Sequence, residues 1–171
     1  MTAILIYKKR IGVIKKDINE LRDKIVELAL LQHHKLYEHG MHGENTFDCA
    51  GFVWYVYHEI LGINIYEQGY GKSTTTKIMT SIYGNIVPTS DILKGDILFF
   101  HRQSKEDNEP TIYNKYPGHC GIYLGNNRFI HASGTKRKVI INNFSKSKYW
   151  NDVLVSGKSI ISEEKTIIKT R

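Results

Sequence analysis

The sequence predicts an α+β fold, and three features predict it. Two segments in the first half, about residues 17–37 and 49–61, have helical spacing or helical caps. From Gly95 onward the grammar changes to short apolar runs bounded by turn residues, the pattern of strands. Helices first and strands afterwards argue for α+β, not alternating α/β. At 171 residues the chain is long enough for one domain with a real core and too short for two comfortable ones.

Residues 3–15 are Ile-rich and fit an extended piece or a helix equally well. Residues 1–16 are therefore an N-terminal extension of open structure, ahead of a domain over 17–161 and a polar tail over 162–171. Asp17 and Glu20 have capping-box spacing, with Asp in place of Ser or Thr. Ile18, Leu21, Ile25 and Leu28 then recur at helical spacing, with Ala29 on the same face. The expected helix ends near 37 and packs one face on the core.

His33, His34, His39 and His42 crowd the next stretch. Adjacent histidines point to different faces of a helix, and no Cys-x-x-Cys or His-Glu-x-x-His accompanies them, so no metal site is expected. The polar loop 40–46 leads to Asp48, which reads as an N-cap, with Cys49 in the first turn of the helix that follows. That helix is apolar through Leu61 and is closed by Gly62. Gly71-Lys72-Ser73 resembles the end of a phosphate loop, but Tyr66 stands where the leading glycine belongs, which argues against nucleotide binding. Thr74, Lys77, Ile78 and Ile82 fit a short helix before Gly84.

The strands follow. Ile97–His101 is a short apolar run, and 102–118 a long polar loop. His119–Leu124 and Arg128–Ala132 form a hairpin about Gly125-Asn126-Asn127, where the asparagines tolerate positive φ. Lys138–Asn142 and Val153–Val155 supply further strands.

Composition narrows the class. Two cysteines, Cys49 and Cys120, make no disulfide framework. No apolar run reaches the roughly 18–20 residues of a membrane span. The apolar run at 3–7 is too short, and its basic residues follow instead of preceding it, so no secretory signal is read. The net charge of +7 draws the chain toward anionic polymers such as nucleic acid, wall polymers or acidic lipid, but it is spread along the chain, and a solvated surface explains it as well.

Chemistry converges on three residues. A thiol at a helix start is favoured as the thiolate. His119 and His131 lie on antiparallel partners and can come side by side across the ladder. Cys49 then reads as nucleophile, His119 as base and His131 as the group that orients it. Spacing alone leaves a plainer reading open, in which Cys49 is a buried small hydrophobe and the histidines are satisfied polar residues. Cys120, beside His119, alternates to the opposite face and reads as core.

Four ordered blocks carry a resemblance: Phe-Asp-Cys-Ala-Gly-Phe-Val at 47–53, Leu-Lys-Gly-Asp-Ile-Leu-Phe-Phe at 93–100, Gly-His-Cys-Gly-Ile-Tyr-Leu-Gly at 118–125 and Arg-Phe-Ile-His-Ala-Ser at 128–133. Together they resemble the NlpC/P60 family, papain-like cysteine peptidases of the bacterial cell wall. The resemblance covers roughly residues 30 to 160. It implies a cysteine-bearing helix packed on an antiparallel sheet that bears the histidine. It implies Cys49 as nucleophile, His119 as base, His131 as third polar group, and hydrolysis of amide bonds in peptidoglycan stem peptides without metal or other cofactor. Tyr37, three residues before Gly40, resembles a tyrosine that lines the family's active site; a core aromatic at a helix end is the alternative. Asp48 can likewise contact a substrate amine.

Three departures stand out. Ala50 replaces the serine that usually follows the cysteine and helps to bind substrate. Cys120 replaces a small aliphatic, and the 102–118 loop is long. The expected protein is a cell-wall lytic endopeptidase or amidase whose partner is peptidoglycan, with anionic wall polymers as a further partner and no nucleic acid. It would be released by lysis or form the catalytic domain of a larger exported protein. The alternatives are a thioester-forming acyltransferase on a lipid or small amide, and a non-catalytic module that binds wall glycan or nucleic acid.

Overall fold

The computed structural model describes residues 3–65, 74–81, 83–101 and 117–161, with 3–16 and Thr76 described by their backbone alone. The sequence expectations for 66–73, for most of the 102–118 loop and for the 162–171 tail lie outside these residues.

The first helix, α1, runs Ala3–Leu31, longer at its start and shorter at its end than the spacing suggested. Asp17 is an interior residue of it, not a cap. Nothing in 3–16 is a proline, and a nucleated helix extends cheaply until something stops it. What stops it is tertiary. His34 takes φ +72, and its N–H bonds the Val139 carbonyl at 3.0 Å. Leu36–Tyr37 then becomes a short strand, β1, against β7 (Lys138–Asn143). His33 and His34 therefore sit in a turn, not on a helix, with their rings 3.8 Å apart.

The other elements are β2 (Thr46–Phe47), α2 (Cys49–Leu61), α3 (Thr74–Thr80), β3 (Asn85–Val87), β4 (Ile97–Phe100), β5 (His119–Gly125), β6 (Arg128–Ser133), α4 (Lys148–Val153) and β8 (Leu154–Ser159). The strands form one eight-stranded sheet in the order β2-β1-β7-β6-β5-β4-β8-β3. The expected hairpin is β5–β6, and Asn126 and Asn127 at its tip take φ +52 and +59, the mirror-image turn that a right-handed twist favours.

Alternation divides the sheet into two faces. Ile97, Phe99, Cys120, Ile122, Ile130 and Ala132 pack with α2 and the buried residues of α1. Leu98, Phe100 and Phe129 face the other way, under Phe144, Val153 and Trp150. The α+β fold is as expected: a cysteine-bearing helix lies against the antiparallel strands β5 and β6.

The core stripe of α1 holds one residue that periodicity alone passes over. Arg22, 6% exposed, lies between Ile18 and Ile25 on the buried face. Its guanidinium donates to Asp96 Oδ1 at 2.6 Å, the Lys94 carbonyl at 2.9 Å, Ser159 Oγ at 2.7 Å and the Ile161 carbonyl at 2.9 Å. Asp96 Oδ2 accepts from the Leu93 N–H at 2.8 Å. The Leu93–Asp96 turn thereby anchors α1 to the start of β4 and the end of β8. Breaking a buried, fully bonded ion pair from one side costs about 3–5 kcal/mol, because the partner stays buried and charged. Asp96→Ala should lower the unfolding free energy by that amount, read as a lower urea midpoint at an unchanged denaturant slope. A loss under about 1 kcal/mol would show that the network contributes little.

Candidate active site

The site begins at the α2 N-terminus. Asp48, in extended backbone, caps the helix by accepting from the Gly51 N–H at 2.6 Å. Its second oxygen accepts from the Gly40 N–H at 3.0 Å. One carboxylate therefore ties the 37–43 segment to the helix start. Burial pushes the Asp48 pKa up, and these amide bonds pull against that shift. The same segment crosses so close to the first turn that a Cβ on Gly51 would lie 2.1 Å from the Met41 carbonyl oxygen. Glycine is required there. Gly62 ends the helix at φ +63, as expected.

Cys49 is thus fixed where two frames meet, the helix start and the start of β5. His119, the first residue of β5, is near enough to Cys49 to help lower its pKa. His119 Nε2 lies 2.7 Å from His131 Nδ1. His131, 1% exposed, has its other nitrogen 2.8 Å from Asn142 Nδ2 on β7. His119, His131 and Asn142 form one hydrogen-bonded file that starts beside Cys49. Burial first, then the charge of His119, depresses the His131 pKa strongly, so this ring stays neutral.

The two histidines are not directly opposite, which corrects the side-by-side expectation. Ile122 pairs with Ile130, so His131 faces Gly121 and meets His119 on the diagonal. A Cβ on Gly121 would lie 2.8 Å from the Ile130 carbonyl and 3.0 Å from His131 Cβ. The missing side chain is what lets His131 lean toward His119. Trp150, from the short α4, stands 5.0 Å from the His131 ring and 6.0 Å from that of His119. It closes the far side of the pair with apolar surface.

Cys120 is buried as expected, but it is more than core filling. Its thiol lies 3.4 Å from the Cys49 carbonyl, and Thr75 Oγ1 stands 3.9 Å from each sulfur. The Cys49 pKa is held well below that of a free thiol. The largest cause is a hydrogen bond from Cys120; burial opposes it, and the hydrogen bond and charge of His119 and a bond from Thr75 add to it. Cys120 moves the other way, pushed up by burial and then by Cys49.

Of the residues singled out in the sequence, Cys49, His119 and His131 come together, with Asp48 beneath them. Tyr37 is half-buried against the core, where a Cβ on Gly134 would lie 3.6 Å from its hydroxyl, with the Arg137 guanidinium 5.7 Å from its ring centre. Ala50, 2% exposed, belongs to the core. Asn142, Gly121, Thr75 and Trp150 escaped the sequence reading. Only Gly121 left a signal, a glycine inside a strand, which marks close approach. Among the described residues no three metal-donor side chains converge, and no helix is long and apolar enough to cross a membrane.

Known proteins place this architecture. The NlpC/P60 family model matches residues 34–159. The probable endopeptidase YafL of Escherichia coli K12 is 29% identical over 125 residues, which is 73% of this chain and 44% of YafL. The probable peptidoglycan endopeptidase LytE of Bacillus subtilis 168 is 31% identical over 115 residues, 66% of this chain and 28% of LytE. The chain thus spans less than half the length of these curated relatives. NlpC2 of Trichomonas vaginalis superposes with a TM-score of 0.64 at 26% identity, over 84% of this chain and 47% of that one. A match that runs from the end of the first helix to the last strand covers a whole domain, and the chain belongs to the NlpC/P60 family.

Proposed function

We propose that the chain is a cysteine hydrolase of amide bonds in bacterial peptidoglycan stem peptides, an endopeptidase or amidase. The observation that carries the reading is the hydrogen-bonded His119–His131 pair set beside Cys49 at a helix start. A nucleophile, a base and an orienting group in that sequence make the machinery of acyl transfer through a thioester. The substrate class comes from relatives such as LytE, named as a peptidoglycan endopeptidase. The +7 charge favours approach to anionic wall polymers.

The chemistry proceeds in two halves. The Cys49 thiolate attacks the scissile carbonyl, and the carbonyl oxygen takes up the negative charge. Asp48 engages the Gly51 N–H, which leaves the first-turn N–H of Cys49 to donate to that oxyanion. His119 gives its proton to the departing amine, and an acyl-thioester remains on Cys49. His119 then takes a proton from water, hydroxide attacks the thioester, and the acid departs as the thiolate re-forms. His131 keeps the His119 ring in place, and Asn142 does the same for His131. Tyr37 and Asp48 are assigned to the substrate-binding rim, since the Gly40–Asp48 bond ties the Tyr37 segment to the helix start.

Three outcomes test this. Incubated with purified peptidoglycan, the protein should release soluble muropeptides with new amino groups, and Cys49→Ala should abolish release with an unchanged circular dichroism spectrum. Equal release by Cys49→Ala would end the proposal, while lipid products without wall release would select acyl transfer. The thiol itself is a second test. Because its pKa is lowered, the iodoacetamide rate at Cys49 should fall far less between pH 8 and 6 than that of an ordinary thiol of pKa ~8.5, which falls roughly seventy-fold. Finally, Gly121→Ala should push His131 off His119 and lower kcat on the order of a hundredfold with KM little changed. An unchanged kcat would remove His131 from the mechanism.

A further inference from the structure

Beside the nucleophile lies a second sulfur that takes no part in the bond changes of hydrolysis. Cys120 is fully buried, whereas Cys49 is partly exposed, so an oxidant from solvent meets Cys49 first. The Cys120 thiol reaches the Cys49 carbonyl at 3.4 Å, so its sulfur lies against the backbone of the residue that carries the other thiol. Thr75 Oγ1 stands 3.9 Å from both sulfurs, so the two flank one hydroxyl.

We propose that Cys49 and Cys120 form an oxidative modification site, in which a hydroperoxide oxidises Cys49 and Cys120 resolves the product to an intramolecular disulfide. In the first step the Cys49 thiolate attacks the peroxide; an S–O bond forms, the O–O bond breaks, and the alcohol or water leaves after taking a proton. In the second step the Cys120 sulfur attacks the sulfenic acid; an S–S bond forms, the S–O bond breaks, and the departing hydroxide carries off the Cys120 proton as water. Two thiols and one peroxide give one disulfide, one alcohol (water, for hydrogen peroxide) and one water, with two electrons passing from the sulfurs to the peroxide. The low Cys49 pKa supports the first step, because the thiolate is the form that reacts. A resolving thiol in contact outruns a second peroxide arriving from solution. The disulfide withdraws the nucleophile, so hydrolysis stops until a thiol reductant restores it. Thiol lost to sulfinic acid is not recovered that way.

The inference rests on the nucleophile assigned above but not on the substrate, so it is read on the protein itself. The purified chain is treated with hydrogen peroxide at pH 7 and analysed by non-reducing mass spectrometry. The intact mass should fall by about 2 Da, with one cross-linked peptide joining Cys49 to Cys120 and full reversal by dithiothreitol. Cys120→Ser and Cys120→Val should instead gain about 32 Da at Cys49, with roughly tenfold less of the thiol recovered by dithiothreitol. Sulfinic acid at Cys49 in the parent with Cys120 still free would overturn the proposal. So would a Cys49 inert to peroxide, or one linked only to a second chain.

Discussion

Everything in this structure turns on bringing the first turn of a helix to the first residue of a strand. Asp48 does much of that work, because its two oxygens satisfy amides from both sides of the junction, Gly51 on α2 and Gly40 on the crossing segment. The crossing is possible only because Gly51 has no Cβ. An apolar helix would pack on this sheet at many depths. The cap and the crossing chain restrict α2 to one, and with it the sulfur. The Arg22–Asp96 network fixes α1 and the start of β4 in the same frame. Structural and chemical demands thus meet at neighbouring residues, and a change in either is felt in the other.

The parts of this arrangement that were legible in the sequence are those encoded locally. Asp48 and Gly62 bracket an apolar run, and caps act within one turn of their own position. Asn126 and Asn127 signal their turn because few other residues tolerate positive φ. The parts that were not legible depend on partners distant in the chain. The end of α1 is set by β7, roughly a hundred residues on, not by anything near residue 31. Arg22 sits in an apolar stripe, and a periodicity count has no way to see an arginine whose carboxylate arrives from another element. Strands β1 and β3 exist only as additions to β7 and β8.

The site divides along the same line. Cys49, His119 and His131 could be placed because each belongs to an element with a local signature. Asn142 could not, since a polar residue on β7 has no distinguishing neighbourhood until the register brings it to His131. The diagonal His119–His131 pairing was likewise hidden. It depends on a register set by the hairpin turn and on the space left by Gly121, neither of which the spacing of two histidines reveals. Cys120 was correctly put on the core face, yet that face includes the underside of the α2 start.

The electrostatics explain why that neighbour matters. A thiolate moved out of water is disfavoured, and burial does push Cys49 toward the neutral thiol. The α2 N-terminus contributes about 0.3–1 kcal/mol in the other direction, which by itself does not offset a substantial desolvation cost. A hydrogen bond to a charged acceptor contributes about 1.5–3 kcal/mol. Cys120, His119 and Thr75 all act to lower the Cys49 pKa, so neighbouring side chains, more than the helix dipole, favour the ion here. Such donors must approach the sulfur closely to act. On the proposed mechanism, a weakly acidic thiol among them both stabilises the nucleophile and, once that nucleophile is oxidised, is the reductant beside it.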